Sequence, residues 1–414
     1  MQFHVLSFEG PDAYARAGGL ASRVEGLTES LAALGFETHL WYVGDPYRPG
    51  HEAHDELHHH RWGQWISRHH PGGVYDGEEG KRSDFVRSLP PHLLSELLEP
   101  HLREGGRAVV MAEEWHTADA VLHLDFLLRE RRLRERVEIL WNANNTYGFE
   151  RIPWARLREA SRLTTVSRYM KQRMWALGVD PLVVPNGLPP DAFDDPDPAA
   201  LRALRARFRD RTVLAKMARW HPDKRWMTAI GTVADLKRRG WRPLLLARGG
   251  SEPYGGEVRA LAQQLGLRWA DLAFAAGESG LLDALSGVED LDVANLCAHV
   301  GPVPRRLLLR GADAVLANSA HEPFGLVGLE AMAVGGLAFT GSSGEDYVLP
   351  GQNAVMLETD DPAEFQQLYG ALRSNAGAER AMRRAGRWTA KRFAWPEVLQ
   401  GVFLPRLNGA LLAA

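Results

Sequence analysis

Two carboxylates set eight positions apart, Glu322 and Glu330, bracket a glycine-punctuated turn in the segment HEPFGLVGLEAMAVGG, residues 321–336. Ala331, Met332 and Ala333 are good helix formers, and Gly335 stands where a C-terminal cap belongs. The preceding GADAVLANS, residues 311–319, reads as a short buried strand. The order is therefore strand, acidic loop, helix N-terminus. Such an order aims backbone N–H groups and the positive end of a helix dipole into the loop. Glu322 in the loop suits the hydroxyls of a sugar, and Glu330 inside the helix suits a ribose diol. A phosphate would sit between them, on the amides of Phe324, Gly325, Leu326 and Val327.

A phosphate or diphosphate held at such a turn needs fixed positive groups. One solution is a divalent metal on paired aspartates. Asp194 and Asp195 lie in a proline-rich stretch, and Asp360 and Asp361 precede a helix, where they read as an N-cap. Neither pair ends a strand, and no metal is expected. KMARWHPDK offers the other solution, with Arg219 at the end of a strand and Lys224 opening the next helix. An arginine grips with two prongs and a lysine acts as a point charge. The competing reading is a solvated basic pair. Gly18 and Gly19, in ARAGGLASRV, follow a strand and open a helix, so a phosphate could approach bare backbone there. Adjacent glycines serve ordinary turns equally well.

The string EPFGLVGLEAMA resembles the Glu-x7-Glu signature of the retaining, nucleotide-sugar-dependent glycosyltransferases with the GT-B fold, the group that includes glycogen synthases. The resemblance implies an α/β chain of two Rossmann-like, doubly wound domains facing across a cleft. It implies that Arg219 and Lys224 hold the distal phosphate of the donor. It places Arg16 as a base two residues before the Gly18–Gly19 pair. EEWHTADAV, residues 113–121, looks like the family's acidic-Trp-His-Thr run, with Glu114 in the acidic place. There His116 would donate to a sugar hydroxyl or orient an acceptor; the alternative is a helix-cap histidine with no role. SRYMK and VVPNGL also match. WNANNTYGF departs from the pattern, because many relatives place a histidine beneath the reacting sugar where Asn144 stands here. Asparagine exchanges hydrogen bonds with hydroxyls but cannot change charge near neutral pH.

On this resemblance the expected reaction is metal-independent hexosyl transfer with retention. The donor is a UDP-, GDP- or ADP-linked sugar, the acceptor a glycan, a small molecule or a lipid-linked saccharide, and no cofactor is involved. Same-face attack is implied, with the leaving phosphate oxygen taking the acceptor's proton. Two rivals stand beside it: a non-catalytic GT-B protein that binds nucleotide sugar or glycan, made plausible by Asn144, and a phosphorylase or epimerase on the same fold.

The elements that must position these groups alternate along the chain. Strand patterns at 3–8, 36–43, 107–113, 137–142, 163–167 and 180–185 are separated by helical stretches, such as 18–35 with Leu20, Val24, Leu27 and Leu31 on one face. A second series runs through 212–219, 243–248, 311–319 and 337–341. Strand–helix alternation implies parallel sheets covered on both faces. The proline- and acid-rich stretch 185–200 reads as a linker. The expected division is 1–188, joined by a returning C-terminal helix at about 393–414, and 189–392. The 414-residue length exceeds one ordinary core. Net charge of −3 argues against nucleic acid as a partner. A single cysteine, Cys297, forbids an intrachain disulfide and favours a reducing, cytoplasmic setting. RERRLRER, residues 129–136, carries five arginines on an expected helix. It suggests a peripheral contact with an anionic inner membrane face, though a solvated helix is the favoured reading. Residues 51–73 hold seven histidines in no regular pattern. They read as a mobile polar loop, with a metal site the lesser alternative.

Overall fold

The computed structural model describes residues 1–407. Its contacts form two compact units, Met1–Pro189 with the segment from Phe393 onward, and Pro190–Arg392. The part of the expected C-terminal helix at 408–414 lies outside the described residues.

The first unit holds β1 (Gln2–Leu6), β2 (Glu37–Val43), β3 (His51–His54), β4 (Leu57–Trp62), β5 (Ala108–Glu113), β6 (Val137–Ala143), β7 (Arg162–Thr165) and β8 (Leu182–Val183). They form one sheet in the order β3-β4-β2-β1-β5-β6-β7-β8. Only the β3–β4 pair is antiparallel. Every residue of β1 and β5 is buried, as strands covered on both faces require. The second unit holds β9 (Thr212–Met217), β10 (Pro243–Arg248), β11 (Trp269–Leu272), β12 (Val293–Leu296), β13 (Ala314–Ala317), β14 (Ala338–Thr340) and β15 (Val355–Met356). Its sheet is wholly parallel, in the order β11-β12-β10-β9-β13-β14-β15. Both units are therefore doubly wound α/β sheets.

Each unit buries its own core. In the first, the helix Gly19–Ala33 lays Leu20, Val24, Leu27 and Leu31 against β1, β2 and β5. The same core takes in Trp395, Val398, Leu399 and Phe403 from the end of the chain. Trp395 is fully buried, and a Cβ on Gly26 would come within 2.2 Å of its indole nitrogen. Only glycine lets that helix meet the ring so closely. In the second, Trp220, Trp226, Ile230, Phe339 and Phe365 anchor the core.

The structure corrects several expectations. The histidine-rich stretch is not a mobile loop: residues 51–54 and 57–62 are β3 and β4, added to the edge of the first sheet. Its polar side chains gave no apolar alternation, and the pairing partners in β2 lie far back in the chain. The stretch 185–200 is not all linker. A helix, Pro198–Arg207, starts inside it, capped by the Asp197 carboxylate, which accepts from the Ala199 and Ala200 amides. RERRLRER is not a continuous helix. The helix Ala118–Glu130 stops within it, and Arg132 takes a positive φ of 58°. Arg129 and Arg134 both pair with Asp125, and Arg131 with Glu99, so much of the cationic patch is neutralised. The membrane-face expectation draws no support from it. Among the described residues no helix is long and apolar enough to cross a membrane. After Trp395–Val398 the terminal helix widens at Leu399–Phe403 and tightens at Leu404–Arg406, around Pro405. Strands β11, β12 and β15 were not foreseen; they are only two to four residues long, and neighbouring strands define them.

Candidate active site

In a doubly wound sheet, ligands bind beyond the carboxyl ends of the strands, where the strand order reverses. The second unit reverses between β9 and β13. The loop after β9 carries Lys224 and the loop after β13 carries Glu322. These two, 98 residues apart, form an ion pair of 2.5 Å, both partly exposed. The predicted convergence of a cation from one loop with the acid of the other is present. The Glu322 amide donates to the Ser343 hydroxyl at 2.9 Å, which ties in the loop after β14. Lys224 stands in a short turn, Pro222–Lys224, two residues before the helix it was expected to open. Arg219 does not end a strand, because β9 stops at Met217. Its guanidinium is exposed and has no hydrogen bond or ion pair among the described residues, while its carbonyl accepts from the Trp226 indole at 2.9 Å.

The helix Leu326–Ala333 opens on Gly325, whose φ is 79°. A Cβ there would lie 2.7 Å from the Glu345 side chain, so the turn needs glycine both for its dihedral and for space. The Gly325, Leu326 and Val327 amides donate to no protein group among the described residues, as an anion-binding helix end requires. Phe324 contributes backbone only; its ring is 2% exposed and packs on Tyr347. Glu330 is paired with Arg305 at 3.0 Å. Gly335, with φ of 70°, ends the helix as expected.

Two groups here escaped the sequence reading. Glu345, in the loop after β14, is 6% exposed, and its Oε1 has no partner. Burial, and then the charge of Glu322, push its pKa up to about 7. The signal was a Gly/Ser-rich turn with an acid, GSSGED, directly after a strand. Lys216, inside β9, donates to the Asn318 side chain at 2.8 Å and lies over Trp226. Burial, and then Lys224, lower its pKa to about 7. A lysine within a β-strand reads as solvent-facing, and nothing in its neighbours suggested otherwise.

The first unit reverses between β1 and β5. The Gly18 amide does not stand bare, as a phosphate site would require. The Glu9 carboxylate already occupies that helix end, accepting from the Ala17, Gly18 and Ala21 amides at 3.2, 2.9 and 3.3 Å. Tyr75 donates to its other oxygen at 2.6 Å. Gly19 begins the helix and is exposed. Arg16 is turned to Glu25, 2.7 Å away, rather than toward the glycines.

At the end of β5, Glu113 is wholly buried against Arg23, which also donates to Asn186. The Asn144 side-chain amide donates to Glu113 at 2.7 Å, beside that of Asn142 at 2.8 Å. Asn144 is thus held by a buried carboxylate. Glu114 has a positive φ of 68° and accepts from the Asn144 amide at 2.6 Å. Burial raises its pKa to about 8. His116 is stacked on Phe8 and contacts Glu78 through Nε2 at 2.7 Å. Burial lowers its pKa to about 4, so at neutral pH the ring carries one proton. With that proton donated to Glu78, the buried, unpartnered Nδ1 is an acceptor, not the donor expected.

Two doubly wound units of this topology, with a cation and a glycine-opened helix meeting at a switch point, define the GT-B class of fold. No protein-family model matches the chain. It is 26% identical to glycogen synthase of Thermus thermophilus over 94% of this chain and 97% of that one. It is 35% identical to D-inositol 3-phosphate glycosyltransferase of Xylanimonas cellulosilytica, over 23% of this chain and only 24% of that protein. Among solved structures, sucrose-phosphate synthase from Thermosynechococcus elongatus superposes with a TM-score of 0.67 at 18% identity, covering 99% of this chain and 100% of that one. The catalytic domain of starch synthase IV from Arabidopsis thaliana, bound to ADP and acarbose, gives 0.67 at 16% identity and 97% of each chain. The chain has the GT-B fold and is, by its likeness to these enzymes, a nucleotide-sugar glycosyltransferase.

Proposed function

We propose that the enzyme moves a hexosyl group from a nucleotide-diphosphate sugar to a saccharide acceptor, with retention and without a metal ion. The observation that carries this reading is the meeting of Lys224 with Glu322 beside the open amides of Leu326–Ala333. A diphosphate in that place takes Lys224 as its counter-charge, and Glu322 turns to the sugar hydroxyls. Arg219, with an uncommitted guanidinium, reaches the same phosphate from the loop after β9. The Gly325, Leu326 and Val327 amides receive the other phosphate oxygens. Glu330 leaves Arg305 and accepts from the ribose diol. That the starch synthase neighbour is bound to ADP supports a nucleotide-linked donor.

In the transfer, the bond from the anomeric carbon to the phosphate oxygen breaks while the acceptor oxygen bonds to the same face. The acceptor's proton passes to the leaving phosphate oxygen, whose charge Arg219 and Lys224 hold. No protein carboxylate is asked to attack. In the first unit, Asn144, held by Glu113, is a neutral hydrogen-bonder that cannot switch charge near neutral pH. His116 offers Nδ1 as an acceptor for a saccharide hydroxyl. The Gly18 loop takes an anionic group only by displacing Glu9, so Gly18, Gly19 and Arg16 lend the proposal little support.

Incubating the enzyme with UDP-, GDP- and ADP-glucose and an oligosaccharide acceptor tests the reading. Proton NMR of the product is expected to show the donor's anomeric configuration. An inverted product rejects retention, and binding without turnover across acceptors rejects catalysis.

A further inference from the structure

The first sheet carries a layer of imidazoles that the transfer reaction does not use. Residues at alternate positions of a strand share one face. Parallel register places His4 of β1 beside His39 of β2, and His39 beside His58 of β4. Antiparallel register places His51 of β3 opposite His60. The rings stack in sequence, with His39 lying 4.6 Å from His4 and 4.5 Å from His58, and His51 4.6 Å from His60. Glu37 lies on the same face, two residues before His39.

One ligand atom from each of Glu37, His39 and His58 lies within 4.8 Å of the others. His39 Nε2 and Glu37 Oε1 are 3.2 Å apart. A tetrahedral ion with bonds of about 2.0–2.1 Å holds its ligands roughly 3.3–3.5 Å apart, so this edge already fits. Rotation of the partly exposed Glu37 and His58 side chains closes the remainder.

The outer contacts are those of a ligand set. His39 Nδ1 is 3.0 Å from His60 Nε2, which orients the ring so that Nε2 faces Glu37. His58 Nδ1 is 3.2 Å from His51 Nε2, leaving its other nitrogen uncommitted. Gln2 donates to Glu37 at 3.0 Å and gives the carboxylate an outer partner. Second partners of this kind set tautomer and direction for metal-bound imidazoles.

We propose that Glu37, His39 and His58 form a binding site for one divalent ion of the Zn2+ type, with a fourth position left to water. Two nitrogens and one carboxylate oxygen suit zinc and its neighbours better than magnesium or calcium. The ion clips β4, and with it the edge hairpin, to β2. It serves the sheet and has no part in the transfer.

The test uses the full-length chain without an affinity tag, stripped with chelator. Titration with Zn2+ is expected to show one equivalent bound per chain and a raised melting temperature. Co2+ is expected to give visible absorption bands of a four- or five-coordinate site. His39→Ala and His58→Gln should each weaken binding at least tenfold, while His54→Gln leaves it unchanged. Should His39→Ala fail to fold, Glu37→Gln and His58→Gln carry the test, since both side chains are partly exposed. No stoichiometric binding, or binding that survives both of those substitutions, overturns the proposal and leaves the histidines as stacked packing.

Discussion

Lys224 and Glu322 satisfy each other in the absence of any third group, and a phosphate changes what each of them does. Lys224→Ala removes the point charge and leaves Glu322 unpaired near Glu345. Loss of one such donor costs about 10²–10³ in kcat for comparable sites, and that is the fall expected here, read from initial rates with UDP- or ADP-glucose. Thermal shift by UDP or ADP should shrink in the same variant and in Glu330→Ala and Arg219→Ala. An unchanged shift in all three places the donor elsewhere. Glu345 makes a second prediction. Its native pKa of about 7 lies above the 4.5 of an ordinary glutamate, so the fold favours the protonated acid. Its contribution to stability is complete below about pH 4.5 and is lost as pH rises through about 7. Glu345→Gln cannot ionise. The melting temperature of the parent should therefore fall relative to the variant as pH is raised from about 5 to about 8. A constant difference across that range sinks the idea.

At the scale of elements, the active-site helix depends on how it begins. Gly325→Ala puts a methyl group at a left-handed φ and against Glu345. The strain is about 1–3 kcal/mol, read by denaturant melts. Activity should fall further than stability, because the helix end that presents the amides must move. The terminal segment is a second element with a definite dependence. Trp395→Ala empties a fully buried site between the helix Gly19–Ala33 and the chain end, at a cost of about 3–5 kcal/mol. Limited proteolysis should then cut first near residues 393–407, and an uncut chain end argues against that anchoring. The edge hairpin shows why elements fail to be read. Its strands carry histidine where apolar alternation would mark a strand, and partners 19 residues upstream complete the pattern.

For the molecule as a whole, each unit owns a sheet and a core. Pro190–Arg392, expressed alone, should fold and keep the nucleotide-dependent thermal shift, because Arg219, Lys224, Glu322 and Glu330 all lie within it. An unfolded fragment shows that the second core is not self-sufficient. Truncation after Arg392 should destabilise the first unit alone, since the segment from Phe393 fills only its core.

What was legible in the residues was local. Strand, glycine turn, acid and helix follow one another within 321–336, and local propensity and dihedral preference suffice to order them. The alternation of strands and helices, read the same way, was enough for two doubly wound sheets. What the residues alone could not decide was which distant groups meet. Glu9 fills the amides of the Gly18 turn, Glu113 holds Asn144, Glu78 takes the proton of His116, and Lys216 and Glu345 are driven from their usual charge states by burial. Each of these rests on desolvation or on a contact across many residues, and both exist only once the sheets have closed on their helices.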